Sequence, residues 1–254
     1  MLEEDEFMND KVRQFTDILK ESNHVVFFGG AGVSTASNIP DFRGSNGLYS
    51  KRLNRNFTPE QAVSHTFFVR YQEEFFQFYK ENLVYPDAKP NDCHIALSEL
   101  ERLGKLKAVV TQNIDGLHQA AGSRVVYELH GSVLRNYCTK CMEFYDVNYI
   151  LKNNGIPKCE KCGSVVKPDV VLYEEGLDDS VVSGAIEAIM QADTLIIGGT
   201  SLIVYPAAGL INYFKGKHLI LINKSATSAD SKANLVINDD IALVFREVMN
   251  RIKK

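Results

Sequence analysis

The stretch His24-Val25-Val26-Phe27-Phe28-Gly29-Gly30-Ala31-Gly32-Val33-Ser34-Thr35 decides the fold. Its first half is a short, unbroken apolar run; its second half is a glycine turn leading into a helix-like segment. A run that is apolar at every position, not at alternate ones, reads as a strand buried on both faces. Runs of the same kind recur at residues 107–111, 125–129, 169–173, 194–197, 218–222 and 235–237. Upstream, residues 8–22 put Val12, Phe15, Ile18 and Leu19 on one helical face. Helical patterns separate many of the later runs. Strands alternating with helices predict an α/β protein, a Rossmann-like doubly wound parallel sheet.

Two segments break this rhythm. Residues 44–104 are helical and rich in aromatics, with Thr58-Pro59-Glu60-Gln61 as a helix start: a cap, a proline at the first position and a capping-box glutamine. Residues 135–167 hold four cysteines and little apolar sequence. Both read as insertions that form a smaller lobe. The large domain is then 1–43, 105–134 and 168–254, and the lobe combines a helical insertion at 44–104 with a zinc ribbon at 135–167.

Composition bounds the rest. The chain has 254 residues, 45% hydrophobic and 24% charged, which excludes a disordered or collagen-like protein. With 28 basic and 32 acidic residues the net charge is −4, which argues against nucleic-acid binding by bulk positive charge. The first residues, Met-Leu-Glu-Glu-Asp-Glu, do not resemble a signal peptide. Residues 194–214 are free of charge, but Gly198-Gly199-Thr200-Ser201 and Pro206 divide them into strand, loop and helix, so no membrane span is expected. The expectation is a cytoplasmic protein, monomeric, with neither nucleic acid nor membrane as partner.

Four of the five cysteines form Cys138-x2-Cys141 and Cys159-x2-Cys162, with seventeen residues between the pairs. This is zinc-ribbon spacing. Four thiolates close a tetrahedral site and leave no open position, so the Zn2+ is expected to be structural. Zinc in small motifs contributes roughly 10–16 kcal/mol, enough to hold a lobe with little core. A ribbon that binds nucleic acid is the rival reading: Lys140, Lys158 and Lys161 allow it, while Glu143, Asp146 and Glu160 dilute the charge. Cys93 stands alone and reads as a core thiol.

Polar groups collect where the strands end. Gly30, Ala31, Gly32, Ser34 and Thr35 follow the first run, and glycines there would let backbone N–H groups approach a phosphate. A tight strand-to-helix turn explains the same glycines. A hydride-transfer fingerprint is not met: Thr35 stands where a third glycine belongs, and no acid follows at about 20 positions, because Asp41 comes too early. Next, Ile39-Pro40-Asp41-Phe42-Arg43 suits a loop folding over a ligand, with Arg43 for phosphate and Phe42 for a flat ring. Gln112, Asn113, Ile114 and Asp115 end the second run. Such polar groups are costly to bury without partners. His130, in Glu128-Leu129-His130-Gly131-Ser132, is the candidate general base. His24, His65, His94, His118 and His218 read as structural. Gly199, Thr200 and Ser201 end a later strand, and Asn223 and Lys224 the next. These strand ends would face one crevice of dinucleotide size.

Together the motifs resemble the sirtuin family of NAD-dependent protein deacylases, at the length of a minimal bacterial-type member. The matching segments are Gly30-Ala31-Gly32-Val33-Ser34, Ile39-Pro40-Asp41-Phe42-Arg43, Thr111-Gln112-Asn113-Ile114-Asp115-Gly116-Leu117-His118, Leu129-His130-Gly131-Ser132, the four cysteines, Lys167-Pro168-Asp169-Val170-Val171-Leu172, Gly199-Thr200-Ser201-Leu202 and Ile222-Asn223-Lys224. They stand in family order across nearly the whole chain. The resemblance implies that NAD is a co-substrate and that acetyl-lysine proteins or peptides are the partners. Ala31, Thr35, Phe42 and Arg43 would line the pyrophosphate and nicotinamide region. Gln112, Asn113, Ile114 and Asp115 would hold the nicotinamide ribose and amide, and Asn113 and Asp115 with His130 form the implied catalytic set. Thr200, Ser201, Asn223 and Ile241 would hold the adenosine half. Val170, Val171 and Leu172 would pair with an extended substrate peptide. The implied reaction moves the acetyl group to ADP-ribose and releases nicotinamide and O-acetyl-ADP-ribose. The alternatives are protein ADP-ribosyl transfer, removal of another uncharged acyl group, a dehydrogenase, and a non-enzymatic zinc-ribbon module.

Three departures from the family pattern stand out. Asn38 replaces a frequent glycine, and Asn tolerates a left-handed backbone. Glu174 also stands at a frequent glycine and adds charge near the implied peptide groove. Sirtuins that remove succinyl or malonyl groups resemble one another in a Tyr-x-x-Arg pair that holds the acyl carboxylate. Here Tyr79 is followed by Asn82 at the arginine position. Without that cation, acetyl should be preferred over succinyl. Purified enzyme incubated with matched acetyl- and succinyl-lysine peptides tests this, and appreciable desuccinylation would overturn it.

Overall fold

In a computed structural model, residues 2–42, 47 and 57–253 of the chain are described. Six parallel strands form the large sheet: β1 (Val25–Gly29), β2 (Leu106–Thr111), β3 (Val126–Glu128), β7 (Thr194–Gly198), β8 (His218–Ile222) and β9 (Leu235–Ile237). Their order is β3-β2-β1-β7-β8-β9. The direction of progression reverses between β1 and β7, which is the topological switch point of a doubly wound fold. The unbroken apolar runs have a direct cause. Val25, Phe27, Val109 and Ile196 enter one core, while Val26, Phe28, Val110 and Ile197 enter another on the opposite face.

Helices α1 (Leu2–Glu21), α5 (Asp92–Arg102) and α9 (Ile241–Ile252) cover the first face. Val12, Phe15, Ile18 and Leu19 of α1 are all buried there, as their spacing predicts. Phe245 of α9 packs edge-on against both Phe15 and Phe27, with ring centroids at 5.6 and 6.1 Å. Helix α8 (Asp179–Gln191) and a 3-10 segment, Ala207–Tyr213, cover the second face. The charge-free stretch 194–214 thus divides into strand, loop and 3-10 segment. No described helix is long and apolar enough to cross a membrane.

A smaller antiparallel sheet contains β4 (Gly131–Cys138), β5 (Phe144–Asp146) and β6 (Val166–Val170), in the order β5-β4-β6. It packs with α2 (Pro59–Ala62), α3 (His65–Arg70), α4 (Gln72–Asn82) and α7 (Val147–Lys152). The capping box expected at Thr58 is present: Gln61 N donates to Thr58 Oγ1, and Thr58 N donates to Gln61 Oε1.

Several expectations need correction. The run 169–173 is not a strand of the parallel sheet. Its first residues end β6, where only alternate positions are buried, because this small sheet has one covered face. The cysteine segment does not lack a core. Tyr145, Ile150 and Val166 join Phe67, Phe75, Phe76 and Tyr79 in one shared apolar cluster. The glycine turn leads into two 3-10 turns, Ala31–Val33 and Thr35–Ser37, and not into a helix. Helix α5 falls inside the 44–104 segment, yet Cys93, Ala96, Leu97 and Leu100 pack in the large core with α1 and α9.

Candidate active site and metal centre

The switch point opens a cleft of about 1030 Å³ between the two sheets. Its floor is the contact between the loop after β1 and the loop after β7. Gly30 N donates to Gly198 O at 3.2 Å, and Gly32 N to Gly199 O at 2.8 Å. A Cβ on Gly30 would lie 2.8 Å from Thr200 Cβ, and one on Gly32 would lie 2.8 Å from Gly199 Cα. Gly199 has φ +60°, and its Cβ would meet Val33 N at 2.4 Å. These glycines therefore serve the packing of two loops on each other, a demand that the sequence alone did not separate from phosphate approach.

The polar strand ends are tied by two sets of hydrogen bonds. Gln112 Nε2 donates to Thr200 Oγ1 at 3.1 Å. Asn113 Nδ2 donates to Ser34 Oγ at 3.1 Å, and Ser34 Oγ donates to Asp115 Oδ2 at 2.6 Å. Leu117 N, at the start of α6 (Leu117–Ala120), donates to Asp115 Oδ1 at 2.9 Å. Both carboxylate oxygens of Asp115 are thereby held in fixed positions. The rings of His94 and His118 lie nearby, tilted against each other with centroids at 4.7 Å. Burial pushes His94 down to about 4, against the opposing pull of Asp115, and burial holds His118 well below its ordinary value, helped by His94. Both are neutral core rings.

His130 lines the same cleft. Its Nδ1 stands 3.0 Å from the Gln112 carbonyl. A carbonyl can only accept, so Nδ1 carries the proton and Nε2 keeps its lone pair. Burial lowers the pKa of His130 below 6.5, and the backbone hydrogen bond partly opposes this. The carbonyl of His130 accepts from Val171 N at 3.0 Å, which ties the histidine to the segment Val170, Val171 and Leu172 along the cleft wall.

Gly30, Ala31, Gly32, Ser34, Thr35, Asp41, Phe42, Gln112, Asn113, Ile114, Asp115, His130, Gly199, Thr200, Ser201, Asn223, Lys224 and Ile241 all line this one cleft. Arg43 lies outside the described residues. Two further side chains of the cleft are engaged as well. Asn223 Oδ1 accepts from Thr200 N and its Nδ2 donates to Thr200 O, so Asn223 shapes the loop that carries Thr200 and Ser201. Lys224 pairs with Asp240 at 2.8 Å. Sequence reasoning missed Tyr205 and Pro206, which come a few residues after the Gly-Gly-Thr-Ser loop, and Tyr85 and Leu83 from the helical segment. Asn82 lines the cleft, whereas Tyr79 is fully buried in the small-lobe core and does not.

The two odd backbone positions are resolved here. Asn38 has φ +63°. Glu174 has φ +76°, and its Oε2 accepts from both Thr66 N (2.8 Å) and Thr66 Oγ1 (2.7 Å), which holds a conformation that glycine would adopt more easily.

The sulfur atoms of Cys138, Cys141, Cys159 and Cys162 all lie within 4.8 Å of one another. Four thiols converging from two knuckles fit a tetrahedral Zn2+ and leave no coordination site for chemistry. Cys93 is fully buried in α5.

The Sir2 family model matches residues 30–206. A relative from Clostridium perfringens, described as an NAD-dependent protein deacetylase, is 68% identical over 244 residues, covering 96% of this chain and all of its own. One from Clostridium acetobutylicum with the same description is 60% identical and covers 94% of this chain and 98% of its own. Among solved structures, a Sir2 complex with a p53 peptide and NAD+ has a TM-score of 0.83 at 38% identity, covering 95% of this chain and 98% of that one. A Sir2 enzyme from work on mechanism and regulation has a TM-score of 0.86 at 42% identity, covering 96% and 98%.

Metal analysis of the purified protein should return one zinc per chain. Removal by a strong chelator should lower the melting temperature and expose four thiols to a thiol reagent. Unchanged melting, with the thiols reactive before chelation, would sink the metal assignment. On its sequence match and its fold, the chain belongs to the Sir2 family.

Proposed function

We propose that the chain is an NAD-dependent protein-lysine deacetylase, and that His130 is its general base. The observation that carries this reading is the position of His130. Its Nδ1 is anchored on the Gln112 carbonyl, and it stands in the cleft lined by both the glycine loop and Val170, Val171 and Leu172. The relatives' shared description supports the same activity.

The residues suit such a co-substrate. Gly30, Ala31, Gly32, Ser34, Thr35, Asp41, Phe42 and Arg43 would hold the pyrophosphate and nicotinamide end. Gln112, Asn113, Ile114 and Asp115 would fix the ribose and amide. Gly199, Thr200, Ser201, Asn223, Lys224 and Ile241 would hold the adenosine half. When bound, NAD supplies an ADP-ribosyl group that accepts the acetyl as nicotinamide leaves. The chain's part is to position and to move a proton. The Ser34–Asp115–Asn113 network holds its polar atoms in fixed places before any ligand arrives, and such preorganisation can supply roughly 7–11 kcal/mol in favourable cases. His130 Nε2 takes a proton from a ribose hydroxyl. The Val171 carbonyl has no backbone partner among the described residues, so it is available to an extended acetyl-lysine peptide. The zinc lobe holds one wall of the cleft and takes no part in the chemistry.

We further assign residues 1–43, 105–134 and 168–254, together with α5, to the NAD-binding domain, and the remainder to the small lobe. The enzyme is taken to be a cytoplasmic monomer that binds neither nucleic acid nor membrane; its net charge of −4 supports the reading for nucleic acid.

Mass spectrometry of an acetyl-lysine peptide incubated with the protein should reveal NAD-dependent loss of acetyl together with O-acetyl-ADP-ribose. His130→Ala should slow this by about 10²–10⁴-fold. Consumption of NAD with ADP-ribose gained by the peptide would favour ADP-ribosyl transfer instead. The base works only when neutral, and its free-enzyme pKa lies below 6.5. The value of kcat/KM should therefore stay level as pH falls to about neutrality and drop only on the acid side of 6.5. An acid limb above 6.5 would argue against His130 as the base.

A further inference from the structure

We propose that Asn91, outside the cleft, is a positioning residue for the co-substrate, acting through the glycine loop. Its side chain spends every polar atom on two tasks. Asn91 Nδ2 donates to Val33 O at 2.8 Å and to Ser37 Oγ at 2.9 Å. Asn91 Oδ1 accepts from Cys93 N at 3.0 Å and caps α5. Its backbone N donates to His94 Nδ1 at 3.2 Å, which completes a capping box.

The first task concerns a segment with little rigidity of its own. Ala31–Val33 and Thr35–Ser37 are separate 3-10 turns of three residues each. Such short turns have no cooperative hydrogen-bond ladder to hold them. Val33 belongs to the first and Ser37 to the second, so one amide spans both. Between them stand Ser34 and Thr35, which line the cleft, and Ser34 carries the hydrogen bonds to Asp115 and Asn113. The second task supplies the anchor. Helix α5 is locked into the large core by Cys93, Ala96, Leu97 and Leu100. Asn91 thus transfers the rigidity of a packed helix to the loop that faces the ligand.

A loop that is only partly in its binding conformation weakens binding in proportion to the fraction that is competent. Loss of the Asn91 donors should therefore act on NAD and not on the peptide, which the cleft meets through Val170, Val171 and Leu172. Asn91→Asp is the sharpest test. Aspartate caps a helix as well as asparagine does, but it presents an oxygen to the Val33 carbonyl where the N–H had been. Asn91→Ser keeps a capping oxygen and lacks the two donors, and it carries the same expectation should the aspartate variant fold poorly.

The experiment is initial-rate kinetics on zinc-loaded full-length protein, varying NAD and acetyl-lysine peptide separately, with thermal melting on each variant. For both Asn91 variants the KM for NAD should rise about tenfold while the peptide KM stays within about twofold. Equal rises in both constants, or a fall in kcat alone with lower melting temperature, would mark Asn91 as a merely structural cap and overturn the proposal. The inference rests on the glycine loop being the NAD cradle, so Ser34→Ala is measured in parallel. If Ser34→Ala raises the NAD KM and the Asn91 variants do not, the positioning role fails alone. If neither changes it, the cradle reading fails and the proposal falls with it.

Discussion

The rest of the site depends on one contact, the backbone-to-backbone packing of Gly30 and Gly32 against Gly199 and Thr200. The loops after β1 and β7 approach so closely that a single added methyl would overlap atoms of the opposite chain segment. This contact lies where the strand order reverses, so the chain diverges on either side and leaves a crevice above it. The polar strand ends line the crevice because β1, β2, β7 and β8 all run parallel and finish at the same edge. The hydrogen bonds of Gln112, Asn113 and Asp115 to Thr200 and Ser34 are long-range in sequence and follow from that shared edge. Register alone brings Gly29 level with Thr111 and with Gly198.

The second wall of the cleft is joined to the first by few but specific links. Val171 N bonds the His130 carbonyl, so the proposed general base and the segment proposed to face the peptide are joined by one hydrogen bond. Arg135 bridges Glu128 at the end of β3 and Asp169 in β6, at 2.6 and 2.7 Å. It spans the two sheets where the register of β4 against β6 shifts, between Ser132 and Asn136. Glu128 is nearly buried, and an unpaired carboxylate there would be costly. Gly131 has φ +73°, and a Cβ on it would lie 1.9 Å from Asp169 O, so the chain can cross from one sheet to the other only through glycine. The small lobe adds an aromatic core of its own, so a metal centre and an apolar cluster share the task of holding that wall.

Much of this was legible in the residues. The unbroken runs around residues 25–29, 106–111, 194–198 and 218–222 declared strands covered on both faces, because apolar residues stand at successive and not alternate positions. The two cysteine pairs declared a metal centre, because thiol spacing is a local property. His130 stood out as a polar residue at a strand end. Other features were not legible. The run at 169–173 looks like its neighbours, and only its pairing with β4 reveals that half of its positions face a one-sided sheet. Helix α5 looks like part of the helical insertion, yet its apolar face packs beside α9 and over β2 in the large core. The engagement of Asn223 with Thr200 and of Asn91 with Val33 and Ser37 joins residues 23 and more than 50 positions apart, and no spacing rule reports such pairs.

By itself, the sequence determined the fold class, the four cysteines that converge and the polar residues at the strand ends. These follow from periodicity, local spacing and the placement of polar groups at strand ends, each of which is written within a few residues. The tertiary structure alone decided which of those residues are free to meet a ligand and which are already occupied in shaping the site. It also decided that the glycines serve loop packing, that His130 presents Nε2 and not Nδ1, and that Tyr79 belongs to a core. The physical reason is that hydrogen-bond partners and close approaches are set by the parallel register of distant strands, and that register exists only once the sheet has formed.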